Sequence, residues 1–226
     1  MSFIDHRRAP GELRIQAIRL GPALALSLAF MVSICGCQKD TPTAGSTPPA
    51  RSPEAVTATA ASPVFDLAGQ IANPLDAADV KAVVFIFIST DCPISNRYAP
   101  EIRRVEEGFT RSGFKFWLVY ADPDASPDAI RKHVKDYNLP QQILRDPHHT
   151  LVRLAQARVT PEAAVFLAGS RLVYHGRIDN RYADLGKERQ IATQHDLEDV
   201  LKAILQDRPV PYSTARAIGC YISDPK

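Results

Sequence analysis

Excess charge is scarce in this 226-residue chain. Its 27 lysines and arginines stand against 25 aspartates and glutamates, for a net charge of +2. With neither a basic nor an acidic surplus, nothing global points to acidic partners, and no nucleic-acid partner is expected. Cysteine is scarce too, with four in all, and so are long apolar runs. The uncharged, mainly apolar stretch from Leu20 to Ile34 falls short of the roughly 20 residues that span a bilayer comfortably. No internal repeat is visible, so the length reads as one domain plus appendages. Proline is the surplus: many of the 18 lie in the first third and in the tail, which suggests irregular ends around a compact middle.

The N-terminus reads as an export signal. His6, Arg7, Arg8, Arg14 and Arg19 form a basic segment ahead of the apolar run. The run ends in Ile34-Cys35-Gly36-Cys37, which resembles the bacterial lipobox. That resemblance implies cleavage after residue 36 and lipidation of Cys37, and an uncleaved membrane anchor is the alternative. Either reading carries the domain to the extracytoplasmic, periplasmic side of a bacterial cell envelope, attached to the membrane. Residues 38–62 are mostly Thr, Pro, Ala and Ser. They offer too little apolar surface to offset the entropy of ordering and read as a tether. The mature domain keeps two thiols, Cys92 and Cys220, in a compartment that permits disulfides.

The domain is expected over residues 63–206, followed by a tail over 207–226. Val64-Phe65-Asp66-Leu67 alternates and predicts a small β-element. Ala82 to Ser89 is an unbroken β-branched and aromatic run, suited to a strand covered on both faces. Ser95 to Ser112 carries Tyr98, Ile102, Val105 and Phe109 at helical spacing. A second strand is predicted near Phe114–Ala121. A helix capped by Ser126 with Pro127 at its first position follows, in which His133 is expected to be solvated. A short strand near 141–144 and a short helix near 150–156 come next. Strands near 163–167 and 171–175 form a hairpin, residues 176–193 read as a long loop, and an amphipathic helix spans 195–206. This order predicts an α/β domain, a central mixed sheet flanked by helices, with 82–89 at its centre. The topology resembles the thioredoxin fold.

The strongest chemical signal is Ser89-Thr90-Asp91-Cys92-Pro93-Ile94-Ser95. A cysteine at the end of a buried strand, where a helix begins, meets unpaired N–H groups and the positive end of the helix dipole. Both favour thiolate, the form that acts as a nucleophile or metal ligand. Asp91 is expected to oppose this with a nearby negative charge. An inert buried cysteine is the plain alternative.

The stretch from Thr90 to Glu101 resembles the active-site segment of bacterial redoxin-domain proteins. These are thioredoxin-like relatives of peroxiredoxins and thiol-disulfide interchange proteins, and the resemblance covers roughly residues 63–222. It implies Cys92 as catalytic thiol, with Thr90, Pro93 and Ser95 supporting it and Thr160-Pro161 at the position of the fold's cis-proline. Arg177, in Gly176-Arg177-Ile178-Asp179-Asn180-Arg181-Tyr182, either biases Cys92 toward thiolate or merely pins a loop through Arg–Asp pairs.

Departures from the pattern narrow the chemistry. Ser95 stands where a dithiol oxidoreductase has its second cysteine, so two-thiol cycling at one helix terminus is excluded. Phe85 replaces the proline of a peroxiredoxin signature, and no arginine lies in the fourth strand, so peroxidase chemistry loses ground. Asn96 stands where a copper chaperone of this fold has its second cysteine, and the adjacent His148 and His149 rarely chelate one ion. Neither a resident metal nor a cofactor is expected. Cys220 is the resolving partner of Cys92, a co-ligand with it, or an idle thiol. The preferred reading is a membrane-tethered thiol-disulfide oxidoreductase that acts on protein or small-molecule thiols and disulfides. Its rivals are a thiol peroxidase and a copper- or metal-handling assembly module built on Cys92 and Cys220.

Overall fold

The computed structural model describes residues 62–77 and 79–224, all within one unit of the chain, Val56–Lys226. The signal with Cys37, and the tether through residue 61, lie outside the described residues. In chain order the elements are β1 (Val64–Phe65), β2 (Ile71–Ala72), β3 (Ala82–Ile88), α1 (Pro93–Thr110), β4 (Phe114–Tyr120), α2 (Pro127–Asp136), β5 (Ile143–Arg145), α3 (Thr150–Ala155), β6 (Val159–Thr160), β7 (Glu162–Leu167), β8 (Arg171–Gly176), β9 (Tyr182–Asp184), β10 (Lys187–Glu188), α4 (Asp196–Leu205), β11 (Thr214–Ala215) and β12 (Cys220–Tyr221). Among the described residues no helix is long and apolar enough to cross a membrane.

Every residue of β3 is buried, as an unbroken apolar run demands. Alternation along the strand divides it between two cores. Val84, Ile86 and Ile88 pack with Tyr98, Ile102, Ile130 and Leu197, from α1, α2 and α4. Val83, Phe85 and Phe87 pack with Leu151 and Val152 of α3 on the other face. The sheet runs β11-β8-β7-β3-β4-β5-β1-β2. β3 is parallel to β4 and antiparallel to β7, and β7 is antiparallel to β8. The four strands expected to share a sheet do so, with β3 between β4 and β7.

Three expectations need correction. Residues 176–193 are not simply a loop, because β9 and β10 pair within them. That hairpin has no apolar alternation to announce it. Its base is held by polar side chains instead: Asn180 Oδ1 accepts from the N–H groups of Thr193 (2.8 Å) and Gln194 (3.2 Å). His133 is buried rather than solvated. It shares the inward face of α2 with Ile130 and Val134, and its ring nitrogens lie 2.7 Å from Tyr120 Oη and 2.7 Å from Asn96 Oδ1. The stretch after α4 is also more than an appendage. β11 extends the main sheet beside β8, and β12 pairs with β6.

Two glycines allow that stretch to lie so close. A Cβ on Gly176, which has φ +149°, would stand 2.1 Å from the Ala215 carbonyl oxygen under β11. A Cβ on Gly219 would stand 2.1 Å from the Thr160 carbonyl oxygen.

Candidate active site

Three chain segments converge beyond the end of β3. Cys92 follows β3 after three residues and is the N-cap of α1, with extended backbone (φ −86°, ψ 108°) and Pro93 in the first helical position. Its Sγ accepts from the Ser95 N–H at 3.4 Å, the capping bond that a serine or aspartate oxygen usually makes. The second segment is β6, followed by a cis Thr160–Pro161 peptide that leads into β7 beside β3. The Cys92 thiol donates to the Thr160 carbonyl at 3.0 Å. The third is β12, in which Cys220 is the antiparallel partner of Thr160 and Tyr221 that of Val159. Thr160 is therefore the residue on which both cysteines meet.

The environment splits the two thiols. Cys92 is 1% exposed, and burial alone would push its thiol up. Hydrogen bonds from Cys220, from the Ser95 side chain and N–H, and from the Thr160 side chain outweigh that penalty and bring it down to about 7. The opposing force is burial, whereas the sequence pointed to Asp91, whose carboxylate accepts from the Thr90 hydroxyl at 3.2 Å. Cys220 moves the other way. Burial, its hydrogen bond to Cys92 and repulsion from a Cys92 thiolate hold it up at about 11. Above about pH 7 the arrangement is a thiolate on Cys92 that accepts from a protonated Cys220. Both cysteines are free, the first buried and the second half-buried. A cavity of about 350 Å³ borders Cys220.

The remaining residues singled out in the sequence divide. Pro93, Ser95, Thr160 and Pro161 stand with the two thiols, whereas the Thr90 hydroxyl turns to Asp91. Arg177 does not stand with them either. Its guanidinium grips Asp196 at 2.7 and 3.0 Å and Gln194 at 2.8 Å, so its charge is spent on the start of α4. Asp179 is likewise structural, accepting from the Tyr98 hydroxyl at 2.6 Å and from the Arg181 N–H at 2.8 Å. His149 is buried with Nε2 2.9 Å from the Ala121 carbonyl, whereas His148 is exposed, so the two do not face one ion. Among the described residues one group has metal-compatible spacing: Glu101, Asp179 and His195, with ligand atoms within 4.8 Å of one another. Glu101 is already bound through both oxygens by Arg104. Sequence reasoning missed Gly219, whose lack of a side chain brings Cys220 into place. The only hint was a glycine next to a cysteine.

Fold and site together define a thioredoxin-like α/β domain with a cysteine at the N-terminus of its first long helix. The family model described as AhpC/TSA family matches residues 58–174, more than half of the 226 residues, and the chain belongs to that family. The match ends before β11 and β12, so Cys220 lies outside it. No curated protein matches. Among solved structures, the fold is similar to an uncharacterized conserved protein from Geobacillus kaustophilus. That likeness has TM-score 0.62 and 24% identity, over 72% of this chain and 89% of that one. It is similar also to a hypothetical protein from Sinorhizobium meliloti 1021, with TM-score 0.59 and 22% identity over 71% and 89%.

Proposed function

We propose that this protein exchanges thiols and disulfides through a Cys92–Cys220 couple. The observation that carries the reading is the pairing of a thiol lowered to about 7 with one raised to about 11, both converging on Thr160. The Cys92 thiolate attacks one sulfur of a substrate disulfide, and that bond's electron pair leaves on the other sulfur. Cys220 then gives up its proton and attacks Cys92 in the mixed disulfide, releasing the substrate thiolate and leaving Cys92–Cys220. Cys92 is buried, so a bulky disulfide needs the site to open, and β12, a strand of two residues, is a light element to displace. The bond that Cys220 makes to Cys92 is the one a resolving thiol needs. A second cysteine in the first turn of α1 is not required.

Mild oxidation is expected to give one intramolecular Cys92–Cys220 disulfide, visible in non-reducing peptide maps. Cys220→Ser is expected to accumulate substrate adducts on Cys92. Oxidation that leaves the two thiols free, or links them only between molecules, overturns the reading. The location is part of the same proposal: a lipid on Cys37 tethers the domain on the extracytoplasmic side of the envelope. The run from Leu20 to Ile34 followed by Cys35-Gly36-Cys37 supports it. Cys37→Ser is expected to abolish incorporation of labelled fatty acid, and labelling that persists refutes it.

A further inference from the structure

Access separates the two sulfurs as sharply as charge does. The cavity of about 350 Å³ beside the site is lined by Ile88, Ser89, Thr160, the residues after β4 including Asp122 and Asp124, and the stretch from Cys220 to Asp224. Cys220 lines this cavity and Cys92 does not. Cys92 is 1% exposed, while Cys220 is half-buried. A molecule of a few heavy atoms in the cavity therefore lies against Cys220 and not against Cys92.

We propose that this cavity is the binding site for the small thiol that returns the oxidised protein to its dithiol form, and that this thiol attacks Cys220. The proposal rests on the Cys92–Cys220 couple argued above. The incoming thiolate forms a bond to Cys220 Sγ. The Cys92–Cys220 bond breaks, and its electron pair leaves on Cys92. The product is a mixed disulfide on Cys220 and a thiolate on Cys92. A second molecule of the small thiol attacks the sulfur of the first, which releases Cys220 as a thiol and carries off both electrons' worth of oxidation as a small disulfide. Leaving-group chemistry agrees with access. The lower-pKa sulfur leaves faster, and Cys92 departs into the N–H of Ser95 and the start of α1. Expulsion of Cys220 would instead make a thiolate on the half of the pair whose environment resists it. The substrate side and the reductant side of the cycle thus use different sulfurs.

Charge narrows the ligand. Asp122 and Asp224 both border the cavity, and carboxylates there disfavour anions and favour neutral or cationic thiols. Cysteamine and 3-mercaptopropionate, of similar size and opposite charge, are the probes.

The full-length protein is oxidised, treated briefly with cysteamine, quenched with acid and N-ethylmaleimide, and digested with trypsin. Cys92 and Cys220 fall in separate peptides, 82–97 and 217–226. The expected result is cysteamine on Cys220 and maleimide on Cys92, in about tenfold excess over the reverse, set by access and leaving group together. An even split, or cysteamine on Cys92, overturns this proposal and leaves the couple standing. Failure to form any Cys92–Cys220 disulfide overturns both. In a parallel measurement, cysteamine is expected to reduce the disulfide severalfold faster than 3-mercaptopropionate at equal thiolate concentration, and Asp224→Asn is expected to narrow the ratio. Equal rates in the unaltered protein rule out the acidic cavity as the route.

Discussion

Cys92 and Cys220 meet at Thr160 but sit in regions of opposite build. The segment behind Cys92 is β3, seven buried residues paired on both sides along their length, and the segment after it is an 18-residue helix. The segment around Cys220 is two residues of strand, held by its pairing with β6 and by an Ile222 N–H bond to the Arg158 carbonyl at 3.0 Å. Tyr221, next to Cys220, is 83% exposed. Local opening follows the density of buried contacts and protected hydrogen bonds. The nucleophile is thus fixed by the core, while its partner sits on a part of the fold that opens at lower cost. That division suits a couple in which one sulfur must hold a charge and the other must come and go.

The largest effect expected from this contrast is at Cys92. Cys92→Ser removes the only thiol among the described residues placed to act as thiolate near neutral pH, so exchange with a model disulfide falls to background. Thiol release measured by absorbance checks it, and residual turnover above a tenth of the parent rate would transfer the nucleophile's role to Cys220. Next in size is a pair of changes that separates the two things Cys220 does. Cys220→Ser keeps a donor toward Cys92 but cannot resolve an adduct. It should lose steady turnover and hold mixed disulfides while the Cys92 alkylation midpoint stays near 7. Cys220→Ala loses both functions, and the midpoint should climb toward the ordinary cysteine value of about 8.5. Equal midpoints in the two variants would mean that the bond from Cys220 contributes nothing to the Cys92 thiolate.

A smaller effect, aimed at the strand rather than the sulfur, is expected from Gly219→Ala. The added Cβ would meet the Thr160 carbonyl at 2.1 Å, so β12 has to shift off β6. Cys92 then gains exposure and loses its donor. Its alkylation should reach a higher plateau rate with a higher midpoint, both read from one pH–rate curve. A curve identical to the parent's would show that the close approach at Gly219 does not hold the strand.

The same contrast explains what was legible in the sequence. β3, α1 and the Cys92 junction are announced locally, by a seven-residue apolar run, by helical spacing and by a cysteine at the boundary between them. β4, α2, β7, β8 and α4 were legible for similar reasons. The position of Cys220 rests on pairing between residues 60 positions apart, and on two glycines whose role is to be thin. No periodicity records such contacts. The β9–β10 hairpin escaped for another reason, and so did the identity of the aspartate in the Arg–Asp pair expected of Arg177. Both rest on polar networks closed by side-chain geometry, and the sequence shows only that the partners exist. His133 was misread because two polar neighbours, Tyr120 and Asn96, satisfy it inside the core.

The smallest predicted effect is on stability, and it asks whether the two regions are coupled in the folded protein at all. Cys92 is lowered from about 9 in its unperturbed form to about 7. Between these values the unfolded chain holds a proton that the folded protein has released. Stability of the reduced protein therefore rises with pH across that window, and the gain is lost as pH falls through 7. Two units correspond to at most about 2–3 kcal/mol. Cys220 is raised to about 11, which has the opposite sign. Its contribution is intact below 9 and is lost as pH rises toward 11. Urea unfolding of the reduced protein should accordingly give a stability maximum near pH 9. Cys92→Ser should remove the rise below it and blunt the fall above it, because part of the upward pull on Cys220 comes from the Cys92 thiolate. Ser95→Ala, which removes one of several groups favouring that thiolate, should shrink the rise without abolishing it. Stability curves for the parent and Cys92→Ser that run parallel from pH 6 to 9 would mean that the folded protein does not favour the Cys92 thiolate. The two sulfurs would then share a place in the fold without sharing a proton.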